Sequence, residues 1–167
     1  MKLPQLIKDG AIDIEILRSE YLKAVAEDKN IDFLLLTLSK MKKLSPLALA
    51  YQACLETLKA KQLWNPLDKL ALAKQSQETF AKAIYENPES LEIRFLRYSI
   101  QLSLPSYLNL SKDLATDKSK IIKLIQDKEA RNIGKENLQR IINFMLQNGQ
   151  CNTEEKAIFQ QVKEDEK

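Results

Sequence analysis

Three of the five prolines stand directly after a residue suited to capping a helix: Ser45-Pro46, Asn65-Pro66 and Asn87-Pro88. A serine or asparagine side chain can accept a backbone N–H of the first turn. Proline suits the first helical position, where its missing N–H would have had no partner. The chain is therefore cut into segments that each open as helices, and apolar residues between the cuts recur with helical period. In 46–61 the shared face is Leu47, Ala50, Tyr51, Cys54 and Leu58; in 66–86 it is Leu70, Ala73, Phe80, Ala83 and Ile84. In 136–147, Leu138, Ile141, Ile142 and Met145 share a face, and Gly149 ends the helix.

The pattern extends toward both ends. Leu17, Tyr21, Ala24 and Val25 predict one helix, and Leu34, Leu35, Leu38 and Met41 a second, with Asn30 as a cap. "AIDIEI" at 11–16 alternates like a strand, but no partner strand is evident, so it is assigned to the helix entry. Tyr107, Leu110 and Leu114 predict a short helix, and Ile121, Leu124 and Ile125 another. Thr153 caps a last helix whose first turn holds Glu154 and Glu155, where the helix dipole favours acids. The expectation is a single all-α domain over residues 1–167, a bundle or short solenoid of about nine helices, with 1–10 and 163–167 frayed. Glycine supports it. Gly10, Gly134 and Gly149 are the only three, too few for the turns of a β architecture or for a glycine-rich phosphate loop.

Composition narrows the function classes. A hydrophobic content of 44% with 29% charged residues describes a globular chain rather than a disordered one. Its 167 residues can bury roughly 70% of the extended-chain surface. A net charge of +3, with lysines scattered among acids, predicts no nucleic-acid partner. The densest basic run, "KMKKLS" at 40–45, suits a helix C-terminus. "FLLLTL" at 33–38 is far short of a membrane span and no signal peptide is evident, so a cytoplasmic protein without a membrane partner is expected. Cys54 reads as core and Cys151 as a loop residue, both as thiols.

Histidine is absent, which removes histidine-based nucleophilic catalysis and histidine zinc sites. Asp28, Asn30 and Asp32 are spaced like the start of a calcium loop. Phe33 and Ser39, however, occupy the positions where that loop needs glycine and glutamate. No catalytic, cofactor-binding or metal-binding residue is assigned, and a non-enzyme is expected.

Phe80, Ala83 and Pro88 have the relative spacing of the second helix of a tetratricopeptide repeat, and Ser76 stands where that pattern places a small residue. The middle of the chain thus resembles a tetratricopeptide-like helical hairpin, 46–61 with 66–86, followed by a half repeat from 88. A strict repeat of roughly 34 residues would place Pro66 inside a helix, a departure from the family pattern. "NPESLEIRFLR" also resembles a motif of a small family of uncharacterised bacterial helical proteins. Some of its members carry secretion signals, and the resemblance implies no activity. The tetratricopeptide resemblance implies an interaction module that binds a protein or peptide segment, or a second copy of the chain as a homo-oligomer.

Four residues are candidates for partner binding. Trp64, the single tryptophan, is either an aromatic anchor or a hydrophobic staple packing toward Leu70. On the helix predicted at 88–103, Leu91, Phe95, Tyr98 and Leu102 form one apolar face and Ile93, Leu96 and Ile100 another. Between them runs a stripe of Arg94, Arg97 and Gln101. An arginine fork there either clasps an internal carboxylate or carbonyl, or grips a partner's carboxylate. The alternative function is a small-ligand binder or enzyme with an inter-helix pocket built on Arg94 and Arg97.

Overall fold

The computed structural model describes residues 6–166, and these form eight α-helices preceded by one short β-ribbon. In the ribbon, β1 (Ile7–Lys8) pairs antiparallel with β2 (Ala11–Ile12), Ile7 opposite Ile12 and Lys8 opposite Ala11. Asp9 (φ 51°) and Gly10 (φ 79°) make the turn, both left-handed, which matches the twist of the paired strands. The assignment of 11–16 to a helix entry is corrected at Ala11–Ile12, which pair as strand, and holds for 13–16; the fraying expected of 6–10 is corrected as well. Leu6 is buried and its carbonyl accepts from the Asp13 N–H at 2.9 Å, anchoring the ribbon. Residues 1–5 and 167, also assigned to the frayed ends, lie outside the described residues.

Helix α1 (Ile14–Glu27) begins where the Asp13 carboxylate accepts the Glu15 and Ile16 N–H groups. Then come α2 (Ile31–Ser39), α3 (Pro46–Gln62), α4 (Pro66–Glu86) and α5 (Leu91–Ser103), followed by α6 (Leu114–Ile125), α7 (Lys135–Gln147) and α8 (Thr153–Asp165). Ser45 caps α3 and Asn65 caps α4, each ahead of its proline as predicted. The third proline works differently. Asn87, held out of the helical region by the following Pro88, closes α4, and Ser90 caps α5 by accepting the Ile93 N–H. Helix α5 therefore starts at Leu91 rather than 88. Asn152, not Thr153, caps α8, because Glu155 three residues on completes a reciprocal capping box. Asn30 occupies the cap position of α2 but contributes no side-chain bond there.

The helix expected over 107–114 is a single 3₁₀ turn, Ser106–Leu108, ended by Asn109 at φ 53°, so the described residues hold eight α-helices rather than the nine expected. At the far end α8 runs on to Asp165, beyond the expected fraying at 163.

Helices α3 and α4 pack as an antiparallel hairpin. Ser76 is fully buried between them; its hydroxyl lies 2.9 Å from the Ala53 carbonyl and 2.7 Å from the Thr57 hydroxyl. The small side chain lets the two backbones approach closely. Two apolar clusters result. One gathers Leu17, Leu34, Tyr51, Leu55 and Phe80 with Ile93, Leu96 and Ile100 of α5. The other gathers Ile121, Ile141, Met145 and Phe159 with Leu91, Phe95 and Tyr98 of α5. Helix α5 is thus shared, and its two predicted apolar faces feed different clusters. Tyr98 ties the second cluster to the α7–α8 connection by donating to the Gly149 carbonyl at 2.7 Å.

Candidate functional site

The stripe on α5 closes on the chain's own carboxylates. Arg97 holds Asp117 with a fork: Nε donates to Oδ2 at 2.7 Å and Nη2 to Oδ1 at 2.8 Å. Arg94 adds Nη1 to Oδ1 at 3.0 Å, and its Nε donates to the Pro88 carbonyl at 3.0 Å, pinning the turn ahead of α5. Asp117 is 0% exposed and Arg97 is 7% exposed, so this is a desolvated pair rather than a surface one. Gln101, also buried, donates to Gln77 and to the Asp113 carboxylate and accepts the Asp113 N–H. Asp113 occupies the cap position of α6 without capping it, because its carboxylate is turned to Gln101 and Arg97.

A second polar seam lies on the opposite side of α5. Glu92 is buried and accepts Arg18 Nε at 2.9 Å, Arg18 Nη2 at 2.8 Å and the Tyr51 hydroxyl at 2.6 Å. Burial, then the neighbouring Glu92 charge, pushes the Tyr51 phenol well above its ordinary value, so it stays a donor. Burial disfavours the Arg18 charge, but bonds to Glu92 and Glu15 outweigh it and raise the guanidinium further. Both seams join buried charges to complementary, well-directed partners. Their chemistry is that of joints between helices. Asp117, Glu92 and Arg18 were not singled out from sequence. Asp117 had a legible signal: it sits in helical register with Leu114, Ile121 and Leu124, an acid on an apolar stripe.

Trp64 is placed elsewhere. It stands in the short α3–α4 connection and is 97% exposed, so the staple toward Leu70 does not form. A groove of about 680 Å³ begins two residues further on, at Pro66, and Trp64 does not line it. Its walls are the end of α3 (Thr57, Ala60, Lys61), the first turns of α4 (Pro66, Leu67, Leu70, Ala73) and the segment after α5 (Leu104, Tyr107, Leu108). Pro105, in extended backbone, turns the chain after α5 into the 3₁₀ turn and carries Tyr107 to the groove's edge. Leu67 is 75% and Tyr107 83% exposed, and Tyr107, expected in a short helix with Leu110 and Leu114, stands in the 3₁₀ turn instead. The spacing of Trp64 and Leu67, and the break at Pro105, were the available signals. Arg94 and Arg97 line neither this groove nor four other surface grooves.

The remaining reactive groups are muted. Cys54 is fully buried, and burial pushes its thiol well up. Burial, then the Glu155 charge, raises Cys151 as well. Both cysteines are free thiols. Among the described residues no cluster of three or more metal-ligating side chains occurs, and no helix is long and apolar enough to cross a membrane. Comparison with known proteins finds no matching family model, no similar curated protein and no similar solved structure.

Proposed function

We propose that this chain is a non-catalytic, cytoplasmic interaction module of tetratricopeptide-like build that binds a protein or peptide segment in the groove between α3, α4 and the 3₁₀ turn. One observation carries the reading: Leu67 and Tyr107, both exposed, line one largely apolar groove. Burying a large apolar side chain yields about 1.5–3 kcal/mol, and a fold that leaves two of them exposed on one groove offers that energy to a partner. Tryptophan and tyrosine are also the side chains that most often anchor interfaces. In this reading Leu67 and Tyr107 are the anchors, and Trp64, outside the groove's walls but two residues ahead of Pro66, offers the same partner a further contact. Arg94, Arg97 and Gln101 set the position of α5, from whose end the Tyr107 segment departs. The pocket alternative built on Arg94 and Arg97 has less support, since both forks already hold Asp117.

Site-specific photocrosslinking in the source cells tests this. A benzophenone side chain in place of Tyr107 is expected to give a discrete adduct that disappears with Leu67→Asp. The same group in place of Tyr85, which is 88% exposed on α4 but does not line the groove, is expected to give none. An adduct of twice the chain's mass would identify a second copy as the occupant. Identical adducts from both positions, or none from Tyr107, would refute the assignment.

A further inference from the structure

We infer that the occupant of this groove is an acidic segment of another protein, one that inserts apolar side chains and sets carboxylates around them; the inference rests on the binding-module reading above. The apolar floor of Leu67, Leu70, Leu104 and Leu108 is edged by Lys61, Lys69 and Lys74, and no carboxylate lines the groove. All three lysines are exposed, and among the described residues none pairs with an acid or donates a side-chain hydrogen bond. Local geometry does not force this. Lys59, two residues before Lys61, bonds Asp32 at 2.9 Å, and Lys118 and Lys120 reach Glu155 and Glu89.

An apolar floor with a rim of one sign selects a partner carrying the opposite sign. The floor supplies affinity, while the rim steers encounter and rejects like-charged segments. A second copy of this chain fits poorly, because a two-fold contact through this face would set the three lysines against their own counterparts. A nucleic-acid strand fits poorly too, for the groove is lined by leucines with one aromatic side chain, Tyr107, and no arginine, short of a series of stacking platforms.

The test is selection of random 16-residue peptides displayed on phage against the full chain, with Leu67→Asp protein as the counter-selecting surface. Leu67 is exposed, so this variant keeps the fold, which circular dichroism verifies. Clones that bind the wild type and not the variant are expected to carry apolar residues at helical or alternating spacing among aspartates and glutamates. The best of them, synthesised, is expected to bind about tenfold or more weakly to the Lys61→Glu, Lys69→Glu, Lys74→Glu triple variant and to weaken with salt. Groove-dependent clones without acidic enrichment, or indifferent to the triple variant, would overturn the acidic partner and leave the module standing. An absence of any Leu67-dependent clone would overturn both. Leu67-dependent binding to phosphatidylserine vesicles in place of peptides would overturn the protein partner in favour of a membrane surface.

Discussion

Arg97→Ala tests how α5 is held. The substitution removes two of the three hydrogen bonds on the fully buried Asp117 carboxylate, leaving the single bond from Arg94 at 3.0 Å. Breaking one side of a buried ion pair costs about 3–5 kcal/mol, most of it the penalty of a charge left without partners. Arg94 stays in place and keeps one bond to Asp117, so the loss is smaller than for a charge left with no partner, about 2–4 kcal/mol. The further contact to Asp113, at 3.4 Å, adds little because that carboxylate is 41% exposed. Urea titration should lower the midpoint at unchanged slope. For a chain of this length, about 3 kcal/mol corresponds to a melting temperature lower by roughly 6–12 °C. Arg97→Lys should recover only part of the loss, since an ammonium cannot reproduce the planar fork. A double-mutant cycle with Asp117→Ala should show coupling of about 1–3 kcal/mol. An Arg97→Ala protein within about 0.5 kcal/mol of wild type would show that the pair does not hold the helices.

Phe80→Ala opens a cavity at the fully buried α3–α4 contact and should cost about 3–5 kcal/mol in the same titration. Tyr98→Phe removes the bond to the Gly149 carbonyl and should cost about 1–2 kcal/mol at neutral pH. Burial, then the charges of Cys151 and Glu155, pushes that phenol up to about 12 from an ordinary 10. Its folded value is raised, so the stability it brings is complete below pH 10 and is lost as pH rises through about 12. The gap between wild type and Tyr98→Phe should close over that range. Gly149→Ala would set a Cβ 2.7 Å from the Met145 Cα and carbonyl oxygen, both backbone, and should cost about 1–3 kcal/mol in thermal melts.

The helices were legible because capping and periodicity are local. Ser45, Asn65 and the stripes of α3, α4 and α7 gave their elements directly, and the two faces of α5 were separable by spacing alone. The failures have physical causes. At Asn87-Pro88 the sequence pattern favours Asn87 as the cap, whereas Ser90, three residues on, opens α5, and which of the two does so depends on how far α4 continues. The ribbon at 7–12 carried a signal, Asp9-Gly10, that fits a two-residue hairpin turn, but strands of two residues are too short for alternation to reveal. The partners of Arg94 and Arg97 lie 20 or 23 residues away in sequence, and that of Arg18 lies 74 away, distances that only the packing closes. The groove was least legible. Exposure of Leu67 and Tyr107 depends on what the chain does not fold over them, and periodicity says nothing about that.

Helix α5 presents apolar faces on two opposite sides, and hydrophobic burial, being non-directional, discriminates weakly between one orientation and its half-turn about the helix axis. The flanking charges discriminate strongly. A half-turn would bring Glu92 toward Asp117, and Arg94 and Arg97 toward Arg18, setting like charges together at a cost of several kcal/mol. The acid on one flank and the bases on the other act as a keyed shaft, admitting the helix in one rotational setting. Replacing all of them with methionine or leucine of similar size would leave the burial intact and let the second setting be populated: a protein that melts as high but gives doubled or broadened amide resonances along α5.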